Sequence, residues 1–186
     1  MPWFALVLYL HLVAVVAAFA YASYIHLGLE RLWSADSTTE ALAALRLSAR
    51  GGSRMPWVGL GLLLTGAYLT QAAFTWTTPW IDVSILGLIA VEAIGGVSGK
   101  HQRRLAAALH QAGHAPMDAW LMRAARDPLS RAANYMLPLL TLGIMLVMVI
   151  KPGVLVSILL LVIAGGVGAA LGRRSVPLRQ RNSASA

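Results

Sequence analysis

Five apolar runs, each close to the length of a bilayer-crossing helix, constrain this chain more than any other feature. They cover residues 3–27, 56–74, 80–99, 133–150 and 154–171. A helix rising 1.5 Å per residue needs about 20 mainly apolar residues to cross a hydrocarbon core of about 30 Å. Backbone amides and carbonyls find no water there, so such runs must be helical. The expectation is an all-α membrane protein, a five-transmembrane-helix bundle that meets the lipid bilayer on all sides.

Charge placement sharpens that expectation. Only 12% of the 186 residues are charged, and they fall between the runs. The first connection, 28–55, carries Arg31, Arg46, Arg50 and Arg54. The third, 100–132, carries Lys100, Arg103, Arg104, Arg123, Arg126 and Arg131, and the tail, 173–186, carries Arg173, Arg174, Arg179 and Arg181. Lys151 alone falls on the other side. By the positive-inside bias, the N-terminus lies outside and the C-terminus in the cytoplasm of a bacterial inner membrane. The same placement explains the net charge of +8 without nucleic acid as a partner. Nothing basic precedes the first run, which opens Met1-Pro2-Trp3-Phe4, so it reads as a retained span rather than a cleaved signal.

The connections hold shorter elements. Ser37-Thr38-Thr39-Glu40 has the form of a capping box, opening a helix that Gly51-Gly52 is expected to end. Span three is expected to run past Arg104 toward His110, with Gly113 and Pro116 breaking it. A piece from Met117 to Arg126 would put Trp120, Leu121 and Ala124 on one face, along the membrane surface. Asp127-Pro128 then turns the chain into span four. Lys151-Pro152-Gly153 makes a tight hairpin between the last two spans, and the tail reads as disordered. Small residues at Ala14/Ala18/Ala22, Gly95/Gly99 and Gly168/Gly172 predict close helix packing and allow a homo-oligomer.

Few residues in the runs can carry chemistry. Glu92 lies about 18 Å into span three, where a charged carboxylate costs at least ~2.5 kcal/mol. It is either a proton-relay or cation-coordinating group, or a structural acid facing the bundle. His11 lies about 12 Å below the outer surface. It could ligate heme or copper, accept a proton, or hydrogen-bond within the bundle. Met145 and Met148 share its layer, which permits a His/Met cofactor site, although methionine also packs well in apolar cores. His26 and His101 end their spans at similar depth. His110 and His114 have i,i+4 spacing with no carboxylate or cysteine beside them. The chain has no cysteine, which excludes disulfides and thiolate metal sites. Soluble-enzyme motifs are absent, and the seven acids are scattered.

Three stretches carry a family resemblance: Tyr9-Leu10-His11-Leu12-Val13; Trp80-Ile81 with Gly95-Gly96 and Lys100-His101-Gln102-Arg103-Arg104; and Met148-Val149-Ile150-Lys151-Pro152. Together they resemble a bacterial family described only as predicted integral membrane proteins. It is distantly related to the heme-binding membrane protoporphyrinogen oxidases and the copper-resistance D-type proteins. The resemblance implies a shared bundle and a functional histidine at His11, with heme b as the implied cofactor. Those relatives also use a lysine early in span three, where this chain has Ser84, so the resemblance implies the fold more than the reaction. Three functional expectations follow: an accessory or assembly subunit of a larger membrane complex, a heme- or copper-binding redox protein using His11, and a small proton-coupled transporter using Glu92.

Overall fold

A computed structural model describes residues 2–113 and 116–174, all of whose regular elements are helices. They are α1 (Pro2–Trp33), α2 (Thr38–Gly52), α3 (Met55–Ala73), α4 (Pro79–Ala112), α5 (Ala119–Ala125), α6 (Pro128–Ile150) and α7 (Val154–Arg174). Among the described residues, four segments are long and apolar enough to cross a membrane: Trp3–Trp33, Pro79–Ala112, Ala119–Ile150 and Val154–Arg174. α3 is not among them. Thr65, Tyr68, Thr70 and Gln71 dilute the apolar character of its 19 residues.

Packing in the apolar middle is inverted relative to a soluble protein. Leu155, Val149, Val16 and Val97 are among the most exposed side chains, as expected where lipid is the solvent. Val147, Ile144 and Val91 are buried there, but many of the other buried positions are small or hydroxylic. A methyl on Gly168 would sit 2.6 Å from the Met136 Cα, and one on Gly172 would sit 2.7 Å from the Ala132 Cα. α7 therefore lies directly on the α6 backbone, as the Gly168/Gly172 pair predicts. Buried Ser84, Thr70 and Ser157 donate to carbonyls of their own helices, those of Trp80, Gly66 and Gly153. Their hydroxyls need no water.

Two helices are longer than a bilayer crossing needs. α1 and α4 have 32 and 34 residues, hence lengths of about 48 and 51 Å against a hydrocarbon core of about 30 Å. Their extensions meet α2 and α5 around a core of Leu29, Leu32, Trp33, Leu45, Leu105, Leu109 and Leu121. This cap sits at the arginine-rich end. α3 leaves it at Arg54 and reaches the opposite end at Phe74. There the Phe74 and Trp80 rings meet edge to face at 5.1 Å, and the Lys151 ammonium lies over both, 5.1 and 5.9 Å from their centroids.

Several local expectations change. The helix of span one continues six residues beyond Leu27 to Trp33, because Leu29, Leu32 and Trp33 enter the cap core. α2 ends at Gly52, as the glycine pair predicts. Gly51 is the last buried residue of that helix and lies against the Tyr21 carbonyl, so its smallness serves close packing. The capping box forms with one change: Ser37 accepts from the Glu40 N–H, while Glu40 accepts from the N–H of Asp36, not of Ser37. In α5 the buried face is Leu121 and Ala125, and Trp120 is 57% exposed. α4 does run on past Arg104, ending where Gly113 takes a φ of +64°. Asp127 caps α6 through the N–H groups of Leu129 and Ser130. Lys151 closes α6 in the left-handed region at φ 54°. The tail beyond Arg174 and His114 lie outside the described residues.

Candidate functional site

α3 organises the polar groups of the apolar middle. Gly59 and Gly66 are seven residues apart, which puts them on one stripe of the helix, about 10.5 Å apart along its axis. Glu92 of α4 lies over Gly59, where an added methyl would be 2.7 Å from its Oε1. His11 of α1 lies over Gly66, with Cε1 3.6 Å from the same construction. The two singled-out residues thus flank one helix at different heights.

His11 is held by a threonine of α3. Its Nδ1 is 2.8 Å from the Thr65 Oγ1. Thr65 has one hydroxyl proton, and that proton is directed to the Gly61 carbonyl at 2.6 Å. With that proton on the carbonyl, the threonine oxygen accepts from His11, an arrangement that assigns the ring proton to Nδ1. In the neutral ring, Nε2 keeps its lone pair for a proton or a ligand. Thr65 fixes the tautomer as the partner of a ligating histidine does.

Among the described contacts none joins His11 to the two methionines expected with it. Met145 is 41% exposed on α6 and Met148 is half-buried, whereas the described contacts of His11 lie on α3. Among the described residues no cluster of three or more His, Asp or Glu could hold a metal ion. The residues fit a heme or copper group at one ligand only. Glu92 has no hydrogen bond among the described residues and stands as a lone half-buried acid.

A second polar set, at the α1–α6 seam near the basic end, escapes a reading of the sequence. The buried Asn134 amide donates to the His26 Nδ1 at 2.9 Å. His26 Nε2 faces Glu30 Oε1 at 3.9 Å, and its ring stands edge-on to Tyr135. Arg131 lies 4.8 Å above the Trp33 ring. His101 is engaged with the Ala124 carbonyl at 3.3 Å, so the two histidines of similar depth serve different seams. The available signal was Asn134 itself, an amide in the opening turns of an apolar run. Its partner, 108 residues away, could not be inferred.

Asp127 sits at the same end, before the apolar part of α6. Partial burial opposes its charged form. The Ser130 N–H and hydroxyl, the Leu129 N–H and the charge of His101 outweigh that, and its carboxyl is held below the usual 3.8.

Comparison of the chain with protein-family models, curated proteins and solved structures yields no match.

Proposed function

We propose that this chain is a five-span protein of the bacterial cytoplasmic membrane, N-terminus outside, that serves as a non-catalytic accessory or assembly subunit of a larger membrane complex. Support for the fifth crossing comes from α3. Its 19 residues span about 28 Å, and it joins the arginine-rich end to the Phe74–Trp80–Lys151 cluster. Support for the orientation is the gathering of fourteen of the fifteen Lys and Arg on one side.

The observation that carries the subunit reading is a difference between two glycine faces. Gly168 and Gly172 are consumed inside the chain against α6. Gly95 and Gly96 of α4 have nothing within 4 Å of an added methyl, and Gly99 meets only Arg103 of its own helix. A small-residue face open to the bilayer is what close approach of another helix requires. The chain purified in mild detergent should run as a larger assembly that Gly95→Leu/Gly99→Leu dissolves. A monodisperse single chain, unchanged by the substitution, would refute the reading.

A second reading has its own observation, the unengaged Nε2 of His11. The resemblance implies heme there, and heme would supply electron transfer. Thr65 would hold the imidazole. Purified protein should then show a Soret band lost in His11→Ala. A colourless, copper-free preparation from cells supplied with both would remove this reading.

A further inference from the structure

The face between α1 and the α2–α3 corner holds an open cleft of about 380 Å³, lined by Tyr21, Tyr24, Arg50, Ser53 and Arg54. Among the described residues neither arginine side chain has a salt-bridge partner. The ion pairs among the described residues are His26–Glu30 and Arg126–Asp36. α2 holds the cleft's shape, because Gly51 lies on the Tyr21 carbonyl and the Tyr24 Cβ. Arg50 is therefore carried on a helix end docked onto the two tyrosines. Arg54 is the residue from which α3 starts, and that helix start has no side-chain cap. The positive end of the α3 dipole adds to the field of the two guanidinium groups. Two arginines stand with Ser53 and two tyrosines around one opening; the Ser53 hydroxyl donates to the Arg50 carbonyl at 3.4 Å, and the two guanidinium groups are the donors suited to a phosphate.

Depth decides which phosphate. Tyr21 and Tyr24 follow Trp3 by 18 and 21 residues, hence about 27 and 32 Å along α1. That matches the far boundary of a hydrocarbon core of about 30 Å, where tyrosines concentrate and where phospholipid phosphates lie. Trp57, just beyond Arg54, is 73% exposed at the same level. A soluble anion would not require a cleft at this depth, whereas a lipid whose tails run along α1 and α3 would place its headgroup there. We propose that this cleft is a binding site for the phosphate headgroup of an anionic phospholipid of the cytoplasmic leaflet. The site would tie α2, and with it the cap, to the membrane.

The proposal rests on the membrane placement given above, and the test separates the two. The full chain in detergent is incubated with equal amounts of phosphatidylglycerol and phosphatidylcholine, and retained lipid is read by native mass spectrometry. Wild type should retain phosphatidylglycerol about tenfold over phosphatidylcholine, since each arginine near the surface favours anionic lipid. Arg50→Gln/Arg54→Gln should bring the ratio to parity. Arg50→Lys/Arg54→Lys should keep part of the preference, and Arg46→Gln/Arg103→Gln, equal in charge but outside the cleft, should keep all of it. An unchanged ratio in the cleft variant overturns the proposal. So does an equal loss in the control pair, which would mean diffuse charge attraction. Displacement of the lipid by millimolar glycerol phosphate would assign the site to a soluble phosphate and also overturn it. Single cysteines at Gly52 and Thr77, labelled in intact cells, read the membrane placement independently. If they lie on opposite sides and the lipid ratio is flat, the headgroup site alone is wrong.

Discussion

The two ends of α4 follow different packing rules. Near Leu105 and Leu109 the helix enters a core of large aliphatic side chains, as in a soluble domain. Near Gly87 it approaches Ile144 and Leu161 through a missing side chain, while Leu86 and Ile89 face outward, 65% and 55% exposed. Burial of apolar area drives assembly where water is the alternative. Where lipid is the alternative that drive is absent, and close backbone approach with satisfied hydroxyls takes over. The same residue type, leucine, therefore stabilises the cap when buried and marks the solvent-facing surface when in the middle.

Leucine truncation is the strongest way to break this comparison. Leu109 is fully buried in the cap, so Leu109→Ala should cost about 2–5 kcal/mol. Leu155 is 80% exposed, and Leu155→Ala should stay within about 0.5 kcal/mol. Thermal unfolding in detergent would compare them, and equal losses would erase the distinction. The reverse substitution follows: Gly168→Leu should lower stability by about 1–3 kcal/mol or more, by forcing α7 off α6. A neutral result would show that the hairpin is not packed backbone to backbone.

Smaller effects sharpen the boundary between the regions. Asp127→Ala should cost about 1 kcal/mol as a lost helix cap. Because the Asp127 pKa is lowered on folding, its ionic contribution is present above the ordinary value of 3.8 and drains as pH falls through the folded value. Asp127→Asn, which still caps but cannot ionise, should therefore fall below wild type at neutral pH and converge with it on acidification. A difference independent of pH would assign the cap no charge. Smallest is Thr65→Val, expected to cost about 0.6 kcal/mol, the average of a hydrogen bond between membrane helices. It should also free the His11 ring, which nitrogen-15 imidazole shifts would register as a mixture of tautomers. An unchanged single tautomer would remove Thr65 from its positioning role.

How far the sequence could be read follows the same division. The apolar runs correspond to α1, α3, α4, α6 and α7, because long apolar stretches are legible along the chain, although α3 is more dilute than the other four. Ser37–Glu40 and Asp127-Pro128 were legible because caps are local. Gly51-Gly52 was legible as the end of α2, but a small residue in a helix signals either an end or a close neighbour, and the second role of Gly51 needed its partner, Tyr21 of α1. Trp120 was grouped on one face with Leu121 and Ala124 by periodicity, yet on a helix of seven residues the cap core covers Leu121 and Ala125. His11 and Glu92 stood out as polar residues in apolar runs. Their common support, the Gly59/Gly66 stripe, needed the packing of α3 between α1 and α4. The cleft was invisible because Tyr21 and Arg54 meet only once α2 folds back along α1.

Sidedness along α3 tests the account most directly. The chain has no cysteine of its own, so single cysteines at Gly52, Thr77 and Gly153 can be probed with a membrane-impermeant thiol reagent in intact cells. The account predicts labelling at positions 77 and 153 from outside, and at position 52 only after the membrane is opened. Labelling of positions 52 and 77 from the same side would show that α3 does not cross, and would contradict the five-span arrangement.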